Sequence, residues 1–186
     1  MKNDEKMEIK NFEKGLKISE NATPAELHDA VKSAYMDRAR QIYFIWRKLK
    51  ELYPDVDANR VVREGSFDFG VWQGEQIAKK LGTTDVGPKE VLLGQTSRGG
   101  WLVFNQNILE LTEERAVKMF KSCPIAEAIL ELSGSIAVTK MFCREMMGNS
   151  DYGIVDPFKN VKLEFPTTVA DGEGCGCEMI ITRVKG

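Results

Sequence analysis

Residues 161–184 read VKLEFPTTVADGEGCGCEMIITRV, and two runs within them alternate apolar with polar side chains, Val161-Lys-Leu-Glu-Phe165 and Cys177-Glu-Met-Ile-Ile-Thr-Arg-Val184. Period-two alternation places one face of an extended chain in a core and the other in water. Pro166 to Gly176 is rich in turn formers, so the two runs read as an antiparallel hairpin. What precedes this hairpin is helical in pattern. Thr23-Pro24-Ala25-Glu26 is a capping box with Pro at the first helical position. Apolar residues then recur at Leu27, Val31, Tyr35, Ile42, Ile45, Trp46, Leu49 and Leu52, predicting one long helix that ends before Pro54.

A second helical pattern runs from Asp57 through Val61, Val62, Phe69, Trp72 and Ile77 to a stop at Gly82. Gly65, Gly70 and Gly74 interrupt it, each at a cost of about 1 kcal/mol against Ala. Either the helix breaks near Gly65-Ser66, or another backbone or a ligand approaches closely there. Thr83 to Gly100 reads as loop around the short run Val91-Leu92-Leu93. Trp101–Phe104 and Ile108–Leu111 read as strands joined at Asn105-Gln106-Asn107, and Thr112 as the cap of a helix carrying Ala116, Met119 and Phe120. Cys123-Pro124 starts a helix ending at Gly134, and Ser135 caps another that runs to Met146.

Helices followed by mixed strands and helices, without regular βαβ alternation, predict an α+β fold: long amino-terminal helices packed on a small antiparallel sheet with further helices. Residues 1–22 alternate Lys with Asp or Glu and read as a flexible arm. Residues 23–186 then form a single domain, helical over 23–82 and mixed over 83–186.

The 186 residues carry 26 Lys+Arg against 28 Asp+Glu, a formal charge of -2. That balance lacks the footprint of a nucleic-acid binder. No run approaches the roughly 18 apolar residues of a membrane span, and the first residues lack the apolar core of a signal peptide. A cytoplasmic protein is therefore expected, with a small molecule rather than nucleic acid or membrane as its partner. The long apolar first helix suggests a homodimer. Four Cys are too few for a disulfide scaffold, and a single His removes most triad and multi-His schemes.

Cys123 precedes Pro124 at a predicted helix start, where the helix dipole favours a thiolate and lowers its pKa; the alternative is a small buried packing residue. Cys143 lies mid-helix. Cys175-Gly-Cys177 sits among glycines flexible enough to approach a ligand or wrap a metal. A zinc site assembled from Cys123, Cys143, Cys175 and Cys177 is open on these positions. His28 reads as an exposed residue without a role. The aromatic stripe Tyr35, Tyr43, Phe44 and Trp46 reads as core that in part lines an apolar pocket.

The order Cys123-Pro124 with Glu127, Phe142-Cys143, Asp156-Pro157, Leu163-Glu164 with Thr168-Val169, and Gly172 leading to Cys177-Glu178-Met179 resembles the L-2-amino-thiazoline-4-carboxylic acid hydrolase family. Ala39-Arg40-Gln41-Ile42-Tyr43 and Arg63 through Gly70 extend the likeness, which covers about residues 25–184. The resemblance implies a more distant kinship with vinyl-reductase-type and haem-nitric-oxide-type ligand-binding domains. It implies attack on a cyclic amidine carbon and expulsion of the ring sulfur, with Cys123, Cys143 and Cys177 at the site, one as nucleophile or all as a zinc cluster. Glu127, Trp101, Thr168 and Gly172 are the ligand-binding candidates that go with them. A non-catalytic small-molecule or zinc sensor is the alternative. Met146, Phe165 and Thr167 stand where the family carries an acid and a basic pair, so no cation for a substrate carboxylate is expected at those positions.

Overall fold

The structure is a computed structural model that describes residues 22–172 and 174–184. The predicted arm lies outside these residues except for Ala22. The first helix, α1 (Pro24–Leu52), is capped as its sequence requires: Thr23 N–H donates to Glu26 Oε2 at 2.8 Å, and Glu26 N–H donates to Thr23 Oγ1 at 3.3 Å. Asp57 caps α2 (Ala58–Leu81), which closes on Gly82 in the left-handed conformation. No break occurs at Gly65.

The reason lies at Gly70 and Gly74, which face α7 (Asn149–Val155). A Cβ on Gly70 would stand 2.0 Å from the Ser150 carbonyl oxygen, and one on Gly74 would stand 2.3 Å from that of Ile154. Gly153 answers from the other side, where a Cβ would meet the Phe67 carbonyl oxygen at 2.2 Å. Glycine here lets two helices touch backbone to backbone. Nothing lies within 4 Å of a Cβ at Gly65, so close packing does not account for that one.

Between these helices the local reading changes. The predicted loop contains α3 (Pro88–Gln95), whose start carries Pro88 and a Glu90 carboxylate that accepts the Gly87 N–H at 3.1 Å. The predicted strand Trp101–Phe104 falls on α4 (Arg98–Val103), capped by Ser97, which accepts the Gly100 N–H at 2.9 Å. β1 (Gln106–Leu111) and β2 (Arg115–Phe120) form a hairpin, so the helix predicted over Ala116, Met119 and Phe120 is a strand. Thr112 does not cap a helix; its hydroxyl and N–H both donate to the Arg115 carbonyl across the hairpin turn. Ala116, Val117 and Lys118 are all buried, so both faces of β2 are covered there and the alternation that marks a strand is lost.

Cys123 is the N-cap of α5 (Pro124–Ser133), and Ser135 caps α6 (Ile136–Met141). A π-helical turn, Phe142–Met146, continues α6 and leads toward α7. β3 (Val161–Glu164) and β4 (Cys177–Arg183) form the expected antiparallel pair, with a 3-10 turn at Val169–Asp171 in the connection. The four strands are ordered β1-β2-β4-β3, all antiparallel, giving the α+β architecture.

Two cores result. One packs Ile77, Val91, Leu92, Ile154 and Phe158 against the sheet residues Ala116, Leu163, Met179 and Ile181. The other joins Tyr43 and Trp46 of α1 to Val62, Ile129, Phe142 and Met146. Met146, at the family's acidic position, is thus wholly buried core. Phe44 of the aromatic stripe is instead 52% exposed. Among the described residues no helix is long and apolar enough to cross a membrane.

Candidate functional site

Strand register builds one wall of the site. Gln106 pairs with Phe120 and Phe120 with Cys177, while one step along Ile108 pairs with Lys118 and Lys118 with Met179. Directly paired residues of antiparallel strands share a face, so Gln106, Lys118, Phe120 and Cys177 project together. The same face is apolar at its other end, where Ala116 and Ile181 enter the core.

Over the polar end lies a cavity of about 250 Å³. Cys123, Cys143 and Cys177 line it, as do the cations Arg38, Lys118 and Arg144 and the carboxylate of Asp151. Met147 of the helical core and Ile154 of the sheet core both reach it, which puts the cavity where the two cores meet.

Lys118 is 1% exposed at the centre of the sheet. Its ammonium donates to Thr96 Oγ1 at 3.1 Å and Gln95 Oε1 at 3.5 Å, and lies 4.9 Å from the Phe120 ring centre. Burial lowers its pKa to about 8, against the opposing pull of Asp151. Gln95 links the two groups, donating from Nε2 to Asp151 Oδ1 at 2.7 Å. Burial likewise raises the Asp151 carboxyl above its ordinary range, opposed by Lys118, Gln95 and Arg38.

All three cavity thiols are held protonated. Burial pushes Cys123 up strongly, and the N–H groups of Ala126 and Ile125 at the helix start do not offset it. The lowering expected from the helix dipole is therefore reversed by desolvation. Cys143 is pushed up to about 12 by burial, with Cys177 and Asp171 adding to the effect. Burial also raises Cys177, but its sulfur accepts the Val169 N–H at 3.3 Å, which favours the thiolate. Cys143 and Arg144 both lie on the π-turn, a distortion often found at functional sites. Arg144 pairs with Asp171 and holds that carboxyl at about 2, while Thr168 N–H donates to the same carboxylate at 2.7 Å.

Of the residues singled out from sequence, Cys123, Cys143, Cys177 and Thr168 come together on this cavity. Cys175 is exposed and Gly172 is exposed; neither lines it. Trp101 and Glu127 line a separate groove with His28 and Lys32, where Glu127 pairs with Lys32 at 2.6 Å. Among the described residues no three His, Cys, Asp or Glu side chains are arranged to hold a metal. The four thiols are not brought together on the cavity, because Cys175 is exposed and does not line it.

Sequence reasoning missed Lys118, Gln106, Arg38, Asp151 and Arg144. Lys118 had a signal in Arg115-Ala-Val-Lys-Met-Phe120: a lone lysine inside an apolar run. Cations from α1, β2 and the π-turn, Arg38, Lys118 and Arg144, line the cavity.

Antiparallel sheet and helices enclosing a thiol- and cation-lined chamber define an α+β protein built around a cavity of small-molecule size. The family model described as L-2-amino-thiazoline-4-carboxylic acid hydrolase matches residues 34–181, and the chain belongs to that family. No curated protein matches the chain.

Proposed function

We propose that the chain hydrolyses a small anionic ring compound with adjacent C–N and C–S bonds, using cysteine chemistry in the cavity. One observation carries this reading: Cys177, Cys143 and Cys123 share a chamber with Lys118, Arg38 and Arg144. Cations there suit a carboxylate substituent, and a thiol suits attack on an electrophilic ring carbon.

Cys177 is the nucleophile, because its sulfur already accepts an amide N–H. In the first half, its proton passes to the Lys118 amine, in the fraction of molecules in which a pKa of about 8 leaves that amine unprotonated, as sulfur bonds to the carbon between nitrogen and ring sulfur. The ring C–S bond then breaks, and the departing sulfur takes the proton from Lys118. In the second half, water adds to the same carbon, Lys118 takes one of its protons, and the carbon–Cys177 bond breaks. Cys177 recovers its proton. One water is consumed, and a ureido acid with a free thiol is released.

The test is to incubate the full chain with 2-amino-thiazoline-4-carboxylate and follow the ureido product by mass spectrometry. Cys177→Ser is expected to lower turnover by about a hundredfold or more. Cys175→Ser, outside the cavity, should leave turnover unchanged. Saturable binding without product from the wild type would reject hydrolysis and leave a non-catalytic binding module.

A further inference from the structure

We infer that Gln106 is the specificity-determining residue of the cavity, its carboxamide pairing with the N–C–N edge of the ligand, the amidine of a substrate or the urea of a product. This rests on the hydrolase reading above for its ligand class, but not on turnover.

Gln106 is 7% exposed and begins β1, yet its Oε1 is buried without a hydrogen-bond partner. A buried amide left unpaired is costly, and folded proteins rarely tolerate one without a reason. The same side chain stands in the wall between the cavity and the groove of Trp101 and Glu127, lining both, and the cavity side is where a ligand would supply the missing partner. Gly100 makes room for the carboxamide itself, since a Cβ there would stand 2.9 Å from Ser97 Oγ and 3.1 Å from Gln106 Nε2.

Register places Gln106 in one cross-strand row with Phe120 and Cys177. Two inter-strand steps separate its strand from that of Cys177, roughly 10 Å, with the Phe120 ring between. A five-membered ring lying over Phe120 bridges that span. Its electrophilic carbon then faces the sulfur while its amino group faces the carboxamide. A carboxamide offers a donor beside an acceptor, which matches an amidine or urea edge in two parallel hydrogen bonds. Arg38, which also lines the cavity, is left for the anionic substituent. The division is by chemistry: cations hold the acid, and the neutral amide reads the nitrogen edge.

Titration calorimetry with two non-reacting probes tests this without turnover. N-carbamoylalanine carries a urea and a carboxylate; 2,4-dimethylpentanoate has the same shape and charge with the urea replaced by isobutyl carbons. The wild-type chain is expected to prefer the first by about tenfold or more, and Gln106→Leu to bring the ratio close to one. Thermal melting of Gln106→Leu should match or exceed the wild type, because the substitution removes a buried carbonyl oxygen that has no hydrogen-bond partner. A wild-type ratio near one, no binding of N-carbamoylalanine, or an unchanged ratio in Gln106→Leu would each overturn the assignment. So would a marked fall in melting temperature, which would make the amide structural. Loss of the hydrolase reading looks different: the urea preference persists while no ring compound is turned over.

Discussion

Lys118 carries a burial cost that no packing argument explains. An ordinary lysine titrates near 10.4 in an unfolded chain, whereas burial holds this one at about 8. Between those values the unfolded chain binds the extra proton, so stability rises with pH across that window; below it the penalty is fully present. Lys118→Met is therefore expected to abolish the rise of stability with pH between about 8 and 10 that the wild type shows. Urea denaturation of both proteins at pH 7.5 and pH 10 measures this, and an equal rise in the variant would refute it. In the mechanism proposed above, such a group serves as an amine that exchanges its proton near neutrality. The role was illegible locally. Under a helical reading of residues 116–120, Lys118 falls on a solvated face, and only its position in the middle strand makes it buried.

At the level of elements, the contact between α2 and α7 positions the site, since α7 carries Asp151 and Tyr152 into the cavity. Gly153→Ala would drive a methyl into the Phe67 carbonyl, with backbone on both sides and nothing flexible to yield. A loss of about 3 kcal/mol is expected in chemical denaturation, with displaced Asp151 lowering turnover as well. Gly65→Ala is the control. It adds a methyl in open space within a helix and should stabilise by about 1 kcal/mol. Equal effects of the two would contradict the packing described. Caps, prolines and the closing hairpin were legible, because Thr23, Asp57, Pro124 and Ser135 act on their own neighbours within a turn. β2 was not, because burial on both faces erases alternation. α3 is the instructive miss: Gly87-Pro88-Lys89-Glu90 carries helix-start chemistry, but eight residues give too few turns for a hydrophobic period to register.

For the whole molecule, the cavity sits where the two cores meet, so its occupant braces both. A ligand at a hundred times its dissociation constant adds about 2.7 kcal/mol to stability and raises the melting temperature accordingly. Alkylation with iodoacetamide gives the spatial check. Exposed Cys175 should react first, and Cys143 and Cys177 slowly, since burial keeps their thiols protonated. N-carbamoylalanine should slow the cavity thiols further and leave Cys175 untouched, as peptide mass spectrometry would record. Protection of Cys175 instead would place the ligand elsewhere.

By itself the sequence determined what short-range chemistry controls: the starts and stops of α1, α2 and α5, the cap of α6, the carboxy-terminal hairpin, the α+β class, and the thiol positions that carry the family likeness. Tertiary structure decided which thiols share a chamber, that Cys175, Gly172, Trp101 and Glu127 stand outside it, and that Arg38, Lys118 and Arg144 line it. It also reversed the expected acidity of Cys123. The reason is common to all of these. A cap or a period acts over one turn of chain, whereas burial and cross-strand register depend on segments that meet only when the chain is folded.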